Sequence, residues 1–131
     1  MLNLKINLKT LPHKRHRYPT LGDYLWKITA KGYRFTVVAS RELGLDSCFL
    51  VLFHELVEMF LCFRRGITEK EIYDWDIEHP DADEPGEIKG APYFYEHTAA
   101  IKMERYMAEL LNVNLKEHEE RCNRVFDGKP F

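Results

Sequence analysis

The sequence predicts an α+β fold, in which a small antiparallel sheet from the N-terminal third packs on two long helices plus shorter ones. Three observations carry this. The N-terminal residues alternate apolar and polar. A second segment, Tyr33 to Ser40, is dense in β-branched and aromatic residues. From Asp46 onward the apolar spacing changes from a strand period to a helix period. The 131 residues read as a single domain, with 1–45 mainly strands, 46–126 mainly helical and 127–131 a loose tail.

Each element has its own signal. Leu2, Leu4, Ile6 and Leu8 alternate with Asn3, Lys5, Asn7 and Lys9, which predicts a half-buried strand. Pro12 and Pro19 bracket a basic run, His13 to Arg17, that reads as a solvated loop. "TLGDYLWKITA" fits either a short helix or a strand. "AKG" is a turn, and the strand after it places Tyr33, Phe35 and Val37 on one face. Asp46 can cap a long helix that stops at Gly66 after two cations. Thr68 and Glu71 form a capping-box pattern for a short helix, "EKEIYDW". The acidic run Asp76 to Pro92, rich in Pro and Gly, predicts an exposed loop. Pro92 suits the first turn of a second long helix, Tyr93 to about Leu111. A last helix, "NLKEHEERCNRVF", has a weak apolar stripe of Leu115, Cys122, Val125 and Phe126.

Composition narrows the function. A formal charge of −2 gives no field that would draw the chain to nucleic acid or to an acidic membrane. The N-terminus lacks the continuous apolar core of an export signal. The apolar run around His54 is too short and too polar at its centre to span a bilayer. Three cysteines without a Cys-x-x-Cys pair point to a reducing cytoplasm and no disulfide framework. No glycine-rich phosphate loop is present.

The most informative stretch is "CFLVLFHELVEMFLCF", Cys48 to Phe63. It is apolar nearly all round, as a buried helix is, yet it contains His54, Glu55 and Glu58. On a helix His54 and Glu58 lie about 40° apart on one face, and Glu55 lies about 100° from His54. Burying such carboxylates unpartnered costs on the order of several kcal/mol. The second long helix repeats the anomaly. Thr98, Lys102, Arg105 and Glu109 form its polar face, whereas Glu96, His97 and Glu104 fall in or beside its apolar arc. A divalent metal ion would offset the buried charge, and mixed imidazole and carboxylate suits Zn²⁺, Fe²⁺ or Mn²⁺. Residues i and i+4 of a helix can share one ion, so His54 and Glu58 are candidate ligands, with His97 as the third.

"HELVE", His54 to Glu58, resembles the His-Glu-x-x-His helix of zincin-type metallopeptidases, and the strands before the buried helix look like a minimal zincin. The resemblance covers about residues 33 to 110. It implies that His54 is a zinc ligand and that Glu55 is the general base that takes a proton from water. The chain departs at the fifth position, where Glu58 replaces the second histidine. That change leaves zinc foremost and brings iron or manganese into consideration. Downstream, "YEHTAAIKMER" supplies His97 as the third ligand, with Glu96 and Glu104 as alternative ligands or as groups that orient a ligand histidine. The chain also resembles small uncharacterised proteins of bacteria and their phages with a similar "HEL-E" helix and "APY…EH" segment, a likeness that implies no activity.

Three functions therefore compete on sequence alone. One is a mononuclear metal-dependent hydrolase, peptidase-like, with Glu55 as base; its substrate stays open, a peptide being one candidate. Another is a carboxylate-bridged two-metal enzyme using Glu55, Glu58, Glu96 and Glu104 with two histidines. The third is a non-catalytic interaction domain, with the acidic loop 74–87 as its surface and the His and Glu residues paired to Arg64, Arg65 or Arg105. The oligomeric state stays open.

Overall fold

A computed structural model describes residues 3–129; Leu2 of the predicted first strand and residues 130–131 of the predicted tail lie outside them. Three strands, β1 (Leu4–Leu11), β2 (Gly22–Thr29) and β3 (Gly32–Ser40), are followed by helices α1 (Leu45–Arg65), α2 (Glu69–Glu78), α3 (Phe94–Leu110) and α4 (Leu115–Phe126), with short 3-10 turns between them. The fold is α+β.

The sheet is mixed rather than antiparallel. Its order is β1-β3-β2, with β3 antiparallel to β2 and parallel to β1. "TLGDYLWKITA" is resolved as strand. Alternation in β1 fixes which residues share a face but carries no information about strand direction. After a tight turn β3 runs back along β2 and enters between it and β1, beside which it lies parallel. Nor is β1 half-buried. Register sets Leu4, Ile6 and Leu8 beside Tyr33, Phe35 and Val37, but α1 crosses β2 and β3. Those three apolar side chains remain 51%, 45% and 45% exposed.

Phe35, Val37 and Ala39 of β3 form the floor of the core, and Cys48, Leu52, Met59 and Cys62 of α1 pack on it. Each large aliphatic buried there contributes about 1.5–3 kcal/mol. Helix ends follow the sequence signals with small shifts. Gly44 rather than Asp46 is the N-cap of α1, and Asp46 sits in the first turn, where the helix dipole favours it. Gly66 ends α1 at φ 75°, and Thr68 with Glu71 forms the complete capping box. Tyr93 is the N-cap of α3, which begins at Phe94, so Pro92 lies outside the helix instead of in its first turn.

The acidic and basic segments are more structured than their composition implies. α2 extends to Glu78, so Asp76 is a buried helical residue. Arg17 pairs with Asp23 at 2.7 Å, and His13 and His16 both reach Ser40 Oγ. At the C-terminus, Asp127, Gly128 and Lys129 donate N–H groups back to carbonyls of α4, so these residues cap the helix instead of trailing loosely. Among the described residues no helix is long and apolar enough to cross a membrane.

A candidate metal centre between α1 and α3

α1 and α3 pack against each other, and their misplaced polar residues meet at the contact. His54 and Glu58 stand one turn apart on α1, and His97 comes from the second turn of α3. All three are buried. His54 Nε2 lies 3.2 Å from Glu58 Oε2 and 3.3 Å from His97 Nδ1. The same Glu58 oxygen lies 2.7 Å from His97 Nδ1. One imidazole nitrogen from each histidine and one carboxylate oxygen thus form a closed triangle. Atoms bound to one ion at about 2.0–2.2 Å with tetrahedral angles stand about 3.3–3.6 Å apart. Two edges of the triangle, 3.2 and 3.3 Å, are close to that range, and the third, 2.7 Å, needs to open by about 0.6–0.9 Å.

Behind the triangle a ladder of hydrogen bonds fixes its side chains. Tyr24 Oη of β2 donates to the other Glu58 oxygen at 2.8 Å. His54 Nδ1 meets Glu104 Oε1 at 2.7 Å. An ionised carboxylate only accepts, so Nδ1 carries the proton and Nε2 turns toward the triangle. Glu104 Oε2 in turn meets His118 Nε2 of α4 at 2.6 Å, and His118 Nδ1 meets Ser47 Oγ at the start of α1, at 2.8 Å.

The electrostatics follow from burial and these contacts. Burial alone would raise the pKa of Glu58, but hydrogen bonds from His54 and His97 reverse the sign and hold it down at about 2. The same contest at Glu104 is won by His118 and His54, again at about 2. Burial disfavours a charged His54, yet the Glu104 and Glu58 carboxylates raise its pKa well above the ordinary value. Two carboxylates therefore compete for positive charge at His54, a demand that a proton or a cation can meet.

Glu55 is placed differently. It leaves the triangle and lies against Gly22 of β2, so closely that a Cβ there would stand 2.6 Å from Glu55 Cγ. Burial, then the neighbouring Glu58 charge, raises its pKa well above the usual carboxylate range. Glu55, Glu58, His54 and His97 line one cavity of about 340 Å³, together with Tyr18 and Asp76. Burial pushes Asp76 up to about 6, although Tyr18 and Tyr93 both donate hydroxyls to it.

Of the residues marked in the sequence, His54, Glu58 and His97 converge, Glu55 borders the same cavity, and Glu104 stands behind His54. Glu96 does not join them. It is buried against Arg65, 2.6 Å away at the far end of α1, because α3 turns it about 100° from His97. Glu55, Glu58, Glu96 and Glu104 consequently do not converge on a carboxylate-bridged pair. Sequence reasoning missed Tyr24 and His118 and left Asp76 in the exposed acidic loop. For His118 a signal exists: Leu115, His118, Cys122 and Val125 follow a 3-4-3 spacing, which sets the histidine on the inward stripe. Asp76 and Tyr24 had no local signal, since their burial depends on elements distant in sequence.

No protein-family model matches the chain, and no curated protein or solved structure matches it at a significant level, so a functional reading rests on the geometry of this site.

Proposed function

We propose that the protein is a metal-dependent hydrolase, peptidase-like in its chemistry, in which His54, Glu58 and His97 hold a single divalent ion and Glu55 is the general base. The observation that supports it is the closed triangle of two imidazole nitrogens and one carboxylate oxygen, at spacings suited to a small tetrahedral cation. Zinc fits the donor set best, with iron or manganese as the alternatives. The ion would supply Lewis acidity, polarising a carbonyl and making water more acidic. The remaining work falls to the chain. Glu104 holds the His54 ring in the tautomer that presents Nε2, and His118 holds Glu104. Tyr24 leaves one Glu58 oxygen for the ion by occupying the other. Glu55, on the cavity wall, is the group proposed to take a proton and pass it on. Burial and the Glu58 charge raise its pKa well above the usual range, and a cation held by His54, Glu58 and His97 would lower it and leave the carboxylate ionised to act as base. The substrate proposed is a peptide. A reducing, cytoplasmic setting suits the three free cysteines, and neither membrane nor nucleic acid is expected as a partner.

A second reading is a non-catalytic interaction domain, favoured by how completely the ladder satisfies itself: His97 Nε2 is its one buried side-chain polar atom without a hydrogen-bond partner. Elemental mass spectrometry of protein purified without added metal separates the two. About one zinc, iron or manganese per chain, lost in a His54→Ala, Glu58→Ala variant, supports the metal site. Wild type that carries no metal and binds none when supplied refutes the hydrolase and leaves the ion-pair network. Peptide hydrolysis by wild type, set against Glu55→Gln, then tests the chemistry.

A further inference from the structure

The unpartnered atom of His97 faces a second set of ligands. With Nδ1 committed to Glu58 at 2.7 Å, the opposite ring nitrogen, Nε2, is buried and makes no hydrogen bond. It lies 3.9 Å from Glu84 Oε1, and Glu84, Glu87 and His97 present ligand atoms within 4.8 Å of one another. The segment that carries these acids is built onto the ring. Gly86 is buried flat against His97, where a Cβ would stand 2.6 Å from the ring's Cγ and 2.7 Å from Tyr93. Only glycine lets the backbone approach so closely, and Glu84 and Glu87 lie two residues before and one residue after that contact. Trp75 Nε1 ties the turn down by donating to Pro85 O at 2.9 Å. Glu87 N–H and Ile88 N–H close it on Glu84 O and Pro85 O.

We propose that Glu84, Glu87 and Nε2 of His97 form an outer divalent-cation site at the rim of the cavity, back to back with the inner centre across one imidazole ring. Two carboxylates and one neutral imidazole suit zinc or manganese. With the ring proton on Nδ1, donated to Glu58, the Nε2 lone pair faces the Glu84 and Glu87 carboxyls. Burial, then their mutual contact, pushes Glu84 up to about 8; a cation would displace the proton they hold and complete that arrangement. The inner centre uses the opposite tautomer. A neutral ring offers one lone pair, so the two positions exclude each other at His97, and the outer one captures an ion while the inner one is open. The proposal shares His97 with the hydrolase reading but does not require the inner centre to be filled.

Calorimetric titration with Zn²⁺ tests it in three proteins. In His54→Ala, which breaks the inner triangle, about one zinc per chain is expected, bound more weakly than in wild type. Adding Glu84→Gln and Glu87→Gln to that variant abolishes binding. In the wild-type background Glu84→Gln with Glu87→Gln keeps the tight inner ion. If His54→Ala does not fold, His54→Gln, which retains a donor toward Glu104, replaces it. Zinc that survives the two glutamine substitutions but is absent when His54 is replaced overturns the outer site and leaves the inner one standing. Zinc that survives loss of His54 and disappears with Glu84 and Glu87 in the wild-type background supports the outer site and overturns the inner one.

Discussion

Glu55 and Asp76 are two acids of one cavity with different consequences. Glu55 touches none of the triangle atoms, so Glu55→Gln should keep the metal and lower peptide hydrolysis by about 10²–10⁴-fold. Metal content and turnover measured on the same preparation check this, and loss of metal would mean that Glu55 is a ligand. Asp76 should govern a pH dependence of stability. Its carboxyl binds a proton more tightly in the folded state, with a pKa near 6, than in the unfolded chain. The fold is therefore favoured while Asp76 is protonated, and that contribution declines as pH rises from about 4 to about 6, by roughly 3 kcal/mol in all. Asp76→Asn should flatten this part of the profile in urea melts at pH 4.5 and 7. At this scale much of the site was legible: an imidazole and carboxylates inside apolar arcs of two helices led to His54, Glu58 and His97. Glu96 misled because it shares an arc with His97 on paper, while Arg65 on α1 draws it elsewhere. No helical wheel of α3 can contain that partner.

The elements explain how Glu55 comes to sit in the same cavity as the His54, Glu58 and His97 triangle. β2 is antiparallel to β3, and its first residue, Gly22, comes so close to α1 that it sets the position of Glu55. Gly22→Ala is therefore expected to move the Glu55 carboxylate without touching any proposed ligand. Metal affinity should stay within about twofold, while turnover drops at least tenfold. An equal loss of both would mean that β2 supports the whole site instead. Helices α1 and α2 were readable from capping signals because those act within a few residues. The direction of β1 and its exposure were not, since alternation reports faces alone and the placement of α1 over β2 and β3 is a tertiary outcome. α2 outlasted its expected end at Trp75 because Asp76 finds Tyr18 and Tyr93 as donors, which local composition does not reveal.

In the whole molecule the hydrogen-bond ladder joins β2 through Tyr24, α1 through Glu58 and His54, α3 through His97 and Glu104, and α4 through His118, before returning to α1 at Ser47. Such networks are stabilising when every member is satisfied and costly when one is removed. Since a bound ion stabilises the folded state alone, zinc at about a thousand times its Kd should add about 4 kcal/mol, or roughly 10 °C or more in Tm. A chelator should reverse the gain, as thermal melts with and without it will show.

His118 gives this ladder an outlet at the C-terminal helix. α4 is short, mostly exposed and polar on its outer side, the kind of segment that opens on its own in a native protein. Its anchor, Glu104, is the group that also steadies His54. When an ion fixes His54, Glu104 is fixed with it, and His118 loses its freedom to let go. A protease digesting α4 should thus cut more slowly once zinc is present, and the clipping rate would report on an ion that the enzyme doing the cutting never meets.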